Sequence, residues 1–354
     1  MTKKLMKGNE VIGEAAINGG CRYFFGYPIT PQNEVPEYLS KRLPEVGGMF
    51  VQAESEIAAI NMVYGAAGSG ARAMTSSSSP GIALKQEGIS YIAGAMLPCV
   101  IVNMVRGGPG LGGIQPSQCD YFQATRGGGN GDYRLIVYAP NNLQETADIM
   151  SEAFETSDYY RVPVMILGDG MIGQMMEPVE ITPPKKKRNL PAKDWATTGT
   201  DGKRKPNIIN SLYLNPAQLE EHNLKLEKIY EDIKANEVRY EAYNVEDADV
   251  VCVAYGTTSR IVKSAIMECE EEGLKVGLIR PITLWPYPDE AFDKIKKDCK
   301  GLLCVEMSLG QMIDDVKIAA NGRWKSYFYG RTGGMIPEPE DIKNEIKKII
   351  RGEK

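Results

Sequence analysis

Thr30, Glu56, Ser79 and Arg106 are the side chains whose settings in this 354-residue sequence best suit chemistry. Thr30 lies in the stretch 22 to 34, Arg-Tyr-Phe-Phe-Gly-Tyr-Pro-Ile-Thr-Pro-Gln-Asn-Glu, where an aromatic run ends at Gly26 and Pro28 and Pro31 enforce an extended turn. Its hydroxyl is presented where a strand gives way to a helix, and the free N–H groups of such a helix favour anionic groups. Glu56 belongs to Glu54-Ser55-Glu56, at the head of a small-residue helix reaching 67. First-turn acids complement the helix dipole from solvent, but apolar Ile57, Ala58 and Ala59 follow at once, which suits one carboxylate pointing inward. Ser79 closes the run Ser76 to Ser79 before Pro80 and Gly81. That pattern serves equally as a helix cap or as a cluster of ligand donors. Arg106 ends an apolar run and is followed by Gly107-Gly108-Pro109-Gly110-Leu111-Gly112-Gly113. Such an arginine either pairs structurally or grips a small carboxylate with two parallel N–H groups.

Other chemistries are excluded. Gly108, Gly110 and Gly113 fit G-x-G-x-x-G, yet Pro109 fills the turn, Ile114-Gln115-Pro116 interrupts the required helix, and no second strand ending in an acid follows. The glycines read instead as a flexible loop carrying one fixed cation. One histidine, His222, in a polar helix, leaves no basis for a His-based zinc site or a Ser-His-Asp triad. The cysteines at 21, 99, 119, 252, 269, 299 and 304 form no Cys-x-x-Cys pair and no cluster-binding run. A net charge of -5 gives no general attraction to nucleic acid or to an anionic membrane. The N-terminus lacks the apolar core of a signal peptide, no run reaches the length of a membrane span, and the unpaired cysteines suit a reducing compartment, so the expected location is the cytoplasm.

The elements that must position these side chains alternate. A helix over 8 to 19, carrying Val11, Ile12, Ala15 and Ala16, leads to the strand at 22 to 26. A helix over 33 to 43, a strand at Met49-Phe50-Val51, the helix from 54 and a strand at 71 to 75 follow. Residues 97 to 105 are the best candidate for a central parallel strand. Strands at 134 to 138 and 162 to 167 flank a helix ending near Ser157. Composition shifts from 181 to 245, where Lys185 to Arg188 open a basic connector that is either solvated or a patch for acidic partners, and Asn215-Pro216 caps a helix with an apolar stripe of Leu219, Leu226, Ile229 and Ile233. The last hundred residues repeat strand and helix: strands at 249–255, 275–279, 301–306 and 324–329, with helices from about 258, 288 and 309. The expected architecture is α/β, with parallel-sheet domains at 1–180 and 246–354 joined by a connector and junction helix at 181–245.

Gly26-Tyr27-Pro28-Ile29-Thr30-Pro31, Ser55-Glu56, Arg106-Gly107-Gly108-Pro109-Gly110 and Val276-Gly277-Leu278-Ile279-Arg280-Pro281-Ile282-Thr283-Leu284-Trp285-Pro286 occur in that order. With these motifs the chain resembles, from residue 6 to about 345, the α-type subunit of 2-oxoacid:ferredoxin oxidoreductases. Gly110-Leu111-Gly112-Gly113-Ile114-Gln115-Pro116-Ser117-Gln118 is most similar to the 3-methyl-2-oxobutanoate (ketoisovalerate) branch, whereas the 2-oxoglutarate branch usually shows Gly-Pro-Ser-Thr-Gly there.

The resemblance implies a thiamine diphosphate pyrimidine-binding fold followed by a transketolase C-terminal-like domain. It implies that Glu56 is the carboxylate bonded to N1′ of the aminopyrimidine, with Glu54 as rival in another helix register. It gives Thr30 and Arg106 the 2-oxoacid's carboxylate and carbonyl, and makes Pro28, Ile29 and Ser79 cofactor contacts. Gly168-Asp169-Gly170 begins like the magnesium motif of such proteins, but the asparagine expected some residues on is missing. The chain is therefore expected to bind no metal. A β-type partner would bring the diphosphate and Mg2+ half, and a γ-type subunit and a ferredoxin-like subunit with the iron-sulfur clusters would complete the complex. Coenzyme A and ferredoxin are the implied co-substrates, with neither nucleic acid nor membrane as partner. No charged residue lies between Arg106 and Asp120, which favours an apolar substrate side chain over the second carboxylate of 2-oxoglutarate.

Overall fold

Alternation of apolar runs with amphipathic helices produces two twisted sheets in the computed structural model, which describes residues 3–184 and 188–354. In chain order the first part contains β1 (Lys4–Lys7), α1 (Gly8–Asn18), β2 (Tyr23–Gly26), α2 (Glu34–Glu45), β3 (Met49–Gln52), α3 (Glu56–Gly68), β4 (Ala73–Ser77) and α4 (Ser79–Gly94). It continues with β5 (Val100–Val105), α5 (Tyr121–Arg126), β6 (Ile136–Tyr138), α6 (Leu143–Tyr160), β7 (Val164–Asp169), α7 (Gly170–Gln174), β8 (Met176–Val179) and α8 (Pro216–Asn236). The remainder holds β9 (Tyr240–Tyr243), β10 (Val250–Val253), α9 (Gly256–Glu271), β11 (Val276–Pro281), β12 (Thr283–Trp285), a 3-10 turn at Asp289–Lys294, β13 (Gly301–Glu306), α10 (Met312–Ala320), β14 (Ser326–Gly330) and α11 (Pro339–Arg351).

The first sheet has the order β12-β6-β7-β5-β4-β2-β3, parallel except for the edge strand β12. β5, the expected central strand, is buried along its whole length, as a run of apolar residues covered on both faces must be. The second sheet runs β14-β13-β10-β11-β9, with β9 as its antiparallel edge. β1 and β8 form a small antiparallel pair that hydrophobic periodicity did not announce. Among the described residues, no helix is long and apolar enough to cross a membrane.

Several segments depart from expectation. β9 lies within the stretch read as connector, and β12 leaves the last third of the chain to join the first sheet. The helix expected from 288 is only the 3-10 turn, because Pro286 and Pro288 precede it and the 3-10 run ends at Lys294. The connector is less solvated than its charge implies. Ala196 is buried, and Arg188 pairs with Glu237 at 2.7 Å with both side chains nearly inaccessible. Lys185 to Lys187, the rest of the basic run, lie outside the described residues. In α8, Leu226 and Ile233 are buried as the stripe required, joined by Tyr230. Leu219 is left exposed, and the helix packs on the core of the first sheet.

One buried layer is common to both sheets. It runs from Ile101, Val105 and Leu167 through Tyr121 and Tyr255 to Val251, Val253 and Leu302. Polar groups tie the same junction. Gln118 donates from Nε2 to the Tyr255 carbonyl at 3.0 Å, and its Oε1 accepts from Thr258 Oγ1 and from the Met307 N–H, each at 2.9 Å.

Candidate active site

Because β2, β4, β5 and β7 are parallel, their following turns gather along one edge of the first sheet, where ligands of open α/β sheets bind. After β2, the turn at Pro28 to Pro31 exposes Thr30 while Pro31 and Gln32 are buried. Asn9 Nδ2 and Gln174 Nε2 donate to the Pro31 carbonyl at 2.9 and 3.2 Å and hold the turn from beneath. Pro28 is exposed and Ile29 half-buried beside Thr30.

The four serines that end β4 and open α4 divide their work. Ser76 Oγ donates to Gln32 Oε1, and Ser78 Oγ donates to the Met104 carbonyl at 2.7 Å. Ser79 Oγ meets the Arg106 backbone, accepting its N–H at 3.1 Å and lying 3.2 Å from its carbonyl oxygen. Ser77 Oγ is buried without a partner. The run is thus mainly a set of locks between neighbouring strand ends, with one hydroxyl left over.

That hydroxyl faces Glu56. Ser55 takes the N-cap of α3, its Oγ accepting the Ala58 N–H at 3.2 Å, so Glu56 becomes the first helical residue. The register turns Glu56 inward, 8% exposed, and leaves Glu54 on the surface. The positive end of α3 favours a carboxylate there. Across from it, a Cβ on Gly81 would collide with Ser77 Oγ and stand 2.8 Å from Glu56 Oε1, so only glycine lets α4 approach this closely.

Arg106, at the end of β5, is 7% exposed. Its Nη1 donates to the Thr30 carbonyl at 3.0 Å and its Nη2 to the Leu111 carbonyl at 3.1 Å, while Nε is buried without a partner. Thr30 and Arg106 are therefore in direct contact through the Thr30 backbone. The glycine loop is less free than its composition implies. It closes through Gly107 N–H to the Gln115 carbonyl at 3.1 Å and Gly113 N–H to the Gly107 carbonyl at 2.9 Å, with Gly110 and Gly112 at φ of 69° and 58°. A cleft of about 620 Å³ opens beside Ser79, between this loop and the turn at Leu309 and Gln311.

Asp169 of Gly168-Asp169-Gly170 is 3% exposed and fully engaged. It caps α7 by accepting the Met171 and Ile172 N–H groups at 2.9 and 3.0 Å, and it accepts a hydrogen bond from Thr257 Oγ1 of the second sheet's first helix. Burial raises its proton affinity against those bonds.

Two charged residues at this edge escaped sequence reasoning. Asp120 is 8% exposed and accepts from Asn103 Nδ2 at 2.9 Å, with burial raising its proton affinity. Lys85 is wholly inaccessible, and burial pushes its proton affinity down to about 7, opposed by Glu56. The available signal was spacing: Lys85 stands four residues after Gly81 and three before Gly88 on one helix face.

The two-sheet architecture is similar to that of a split-gene transketolase, with a TM-score of 0.57 over 98% of each chain and 12% identity, a likeness of fold alone. Residues 14–242 match the family described as pyruvate flavodoxin/ferredoxin oxidoreductase, thiamine diphosphate-binding, and residues 248–342 match the pyruvate:ferredoxin oxidoreductase core domain II. The ketoisovalerate oxidoreductase subunit VorB of Methanothermobacter marburgensis is 48% identical over 99% of this chain and 98% of its own length. The 2-oxoglutarate synthase subunit KorA of Methanocaldococcus jannaschii is 35% identical over 98% of this chain and all of its own. The 2-oxoglutarate:ferredoxin oxidoreductase of Magnetococcus marinus, solved with 2-oxoglutarate, coenzyme A and succinyl-CoA, superposes with a TM-score of 0.85 at 29% identity, over 99% of this chain and 65% of that one. The chain belongs to the 2-oxoacid:ferredoxin oxidoreductase family as an α-type subunit, an oxidoreductase component that acts together with partner subunits.

Proposed function

We propose that this chain supplies the pyrimidine-binding half of a thiamine diphosphate site in a complex that oxidises 3-methyl-2-oxobutanoate and related branched 2-oxoacids. The products with coenzyme A are acyl-CoA, carbon dioxide and reduced ferredoxin. The observation that carries the reading is the buried Glu56 carboxylate facing Gly81 beside the unpartnered Ser77 hydroxyl. A carboxylate is not left in such a place without a partner for its charge or its lone pairs, and an aminopyrimidine nitrogen is a fitting one.

When bound, thiamine diphosphate supplies the nucleophilic carbon and the electron sink for decarboxylation. The chain's own residues bind and orient. Glu56 holds the proton at N1′, a role favoured by a helix N-terminus and a dry surrounding. In this reading Pro28, Ile29 and Ser79 contact the cofactor. Thr30 and Arg106 orient the substrate's carboxylate and carbonyl, and the buried Arg106 Nε is a donor still without a partner.

Asp169 is already committed to α7 and Thr257, which fits a diphosphate and Mg2+ site on a β-type subunit. A γ-type subunit and a ferredoxin-like iron-sulfur subunit complete the assembly, with ferredoxin as acceptor and the cytoplasm as its compartment. The cleft beside Ser79 has no cation of its own for a second substrate carboxylate among its lining residues, and the 48% identical relative is named for ketoisovalerate.

Reconstitution with the partner subunits tests the assignment. Glu56→Gln is expected to lower thiamine-dependent dye reduction by at least about a hundredfold, the size typical of a lost acid–base group. Near-normal turnover in that variant would contradict it.

A further inference from the structure

Residues 207 to 214 have the solvent pattern of a strand but no strand beside them. Half-buried and exposed positions alternate without a break from Asn207 to Leu214, the period of two that an extended chain has. The odd positions face inward. Asn207 Nδ2 donates to the Ala196 carbonyl at 2.9 Å, and the Tyr213 ring stacks on His222 with centroids 4.7 Å apart. Between them, a Cβ on Gly68 would stand 3.8 Å from Ile209 Cγ2, and one on Gly94 3.1 Å from Ser211 Cβ. The even positions face out, and three of the four are large and apolar: Ile208, Leu212 and Leu214 are 81, 72 and 86% exposed. Among the described residues, this segment exchanges no hydrogen bond with another backbone group. A solitary exposed leucine is ordinary, but three in a row on one face of a segment mark an interaction surface.

The inner contacts set this stripe across Gly68 and Gly94, the last residues of α3 and α4. Glu56 and Ser79 begin those helices, so the stripe lies at the end away from the candidate active site. The charges that border it choose its occupant. Before the stripe stand Lys203, Arg204 and Lys205, with Asp201 as the one nearby acid, and after it Glu220 and Glu221 lie near the start of α8. The three cations and the two glutamates are exposed, and among the described residues none of the five has an ion-pair partner within the chain. An apolar row with a positive end and a negative end is complementary to itself when turned end for end. A two-fold axis does this, because it places one patch on both sides of the contact. Taken from Ser211, Arg204 and Glu220 lie roughly 20 Å away in opposite directions, by the rise of extended chain and helix.

We propose that this stripe is a contact between two copies of the chain, packed antiparallel across a two-fold axis near Ser211. Ile208, Leu212 and Leu214 of one copy lie against those of the other, and the cations at 203 to 205 of each copy meet Glu220 and Glu221 of its mate. A contact so placed leaves the helix ends that carry Glu56 and Ser79 open to partner subunits. It does not depend on the cofactor assignment.

Sedimentation of the full chain, alone and in the reconstituted complex, tests the proposal. Wild type is expected to dimerise with a Kd that rises with ionic strength, as salt screens the flanking charges. Leu212→Asp puts a charge on both sides of the axis at once and is expected to weaken the dimer at least about a hundredfold, tenfold for each copy. Lys205→Glu should weaken it as well, and adding Glu220→Lys should restore it, a rescue that requires contact between copies. Asn210→Cys, on the outer face beside the axis, should join copy to copy through a short bismaleimide. Urea midpoints should stay at the wild-type value in all variants, since every altered side chain is exposed. A dimer that survives Leu212→Asp would place the interface elsewhere and overturn the proposal. A chain that stays monomeric alone and in the complex would overturn it too, as would crosslinking of Asn210→Cys to a partner subunit, which would give the stripe to that subunit.

Discussion

Glu54 and Glu56 are two residues apart, yet only Glu56 reaches the interior, because the Ser55 hydroxyl caps α3 and sets its register. The space opposite depends on a missing methyl group. Gly81→Ala would drive a Cβ into Ser77 Oγ and against Glu56, an overpacking change that costs about 1–3 kcal/mol. The thiamine diphosphate Kd of the complex should weaken at least tenfold, and an unchanged Kd would show that α4 gives way freely. A pH effect on stability belongs to Lys85. Its folded-state proton affinity is depressed to about 7, so below that pH the native protein carries the full penalty of a buried cation, while above it the unfolded chain binds more protons and stability rises. Urea unfolding of the full chain should show wild type gaining on Lys85→Met by up to about 1.4 kcal/mol per pH unit between about pH 7 and 10. A pH-independent difference would contradict a titrating buried amine. At this scale the sequence was readable for position alone: Thr30 lies in the turn after β2 and Arg106 directly after β5, as expected. It was silent about Lys85, because a lone lysine in a helix reads as solvated until the neighbouring helix is in place.

Elements were legible where apolar runs were long and ambiguous where they were short. β5 was evident as a continuous buried run, whereas β12, only three residues long, pairs with β6 through a contact 145 residues distant, which no local pattern announces. The expected helix from 288 failed for a local reason, since Pro286 and Pro288 lie at its head. Gly168-Asp169-Gly170 serves the junction between the sheets. Its carboxylate caps α7 and receives Thr257 from α9, so it clips the two sheets together. Thr257→Val should leave a buried carboxylate short of a donor and lower stability by about 1–3 kcal/mol, with Thr257→Ser recovering most of it. A urea midpoint unmoved by valine would show that the hydroxyl carries no weight at the junction.

For the whole molecule, the alternation of strands and helices predicted two parallel sheets, but not the depth to which they fuse. Their common layer through Tyr121 and Tyr255, and the Gln118 contacts to Tyr255, Thr258 and Met307, arise from residues far apart in the chain. This layer fixes the glycine loop against the second sheet, since Ser117 Oγ and Gln118 N–H both donate to the Met307 carbonyl, at 3.2 and 2.9 Å. The cleft beside Ser79 is consequently walled by both halves, and its shape is a property of the assembled chain. A loop so held, with Arg106 as its one cation, suits an acid with an apolar side chain. The most direct measurement is kcat/KM of the reconstituted complex for 3-methyl-2-oxobutanoate, 2-oxoglutarate and pyruvate. The account predicts that the branched acid is preferred at least tenfold over either of the others, a margin within what one hydrophobic pocket supplies. Equal or better turnover of 2-oxoglutarate would contradict it.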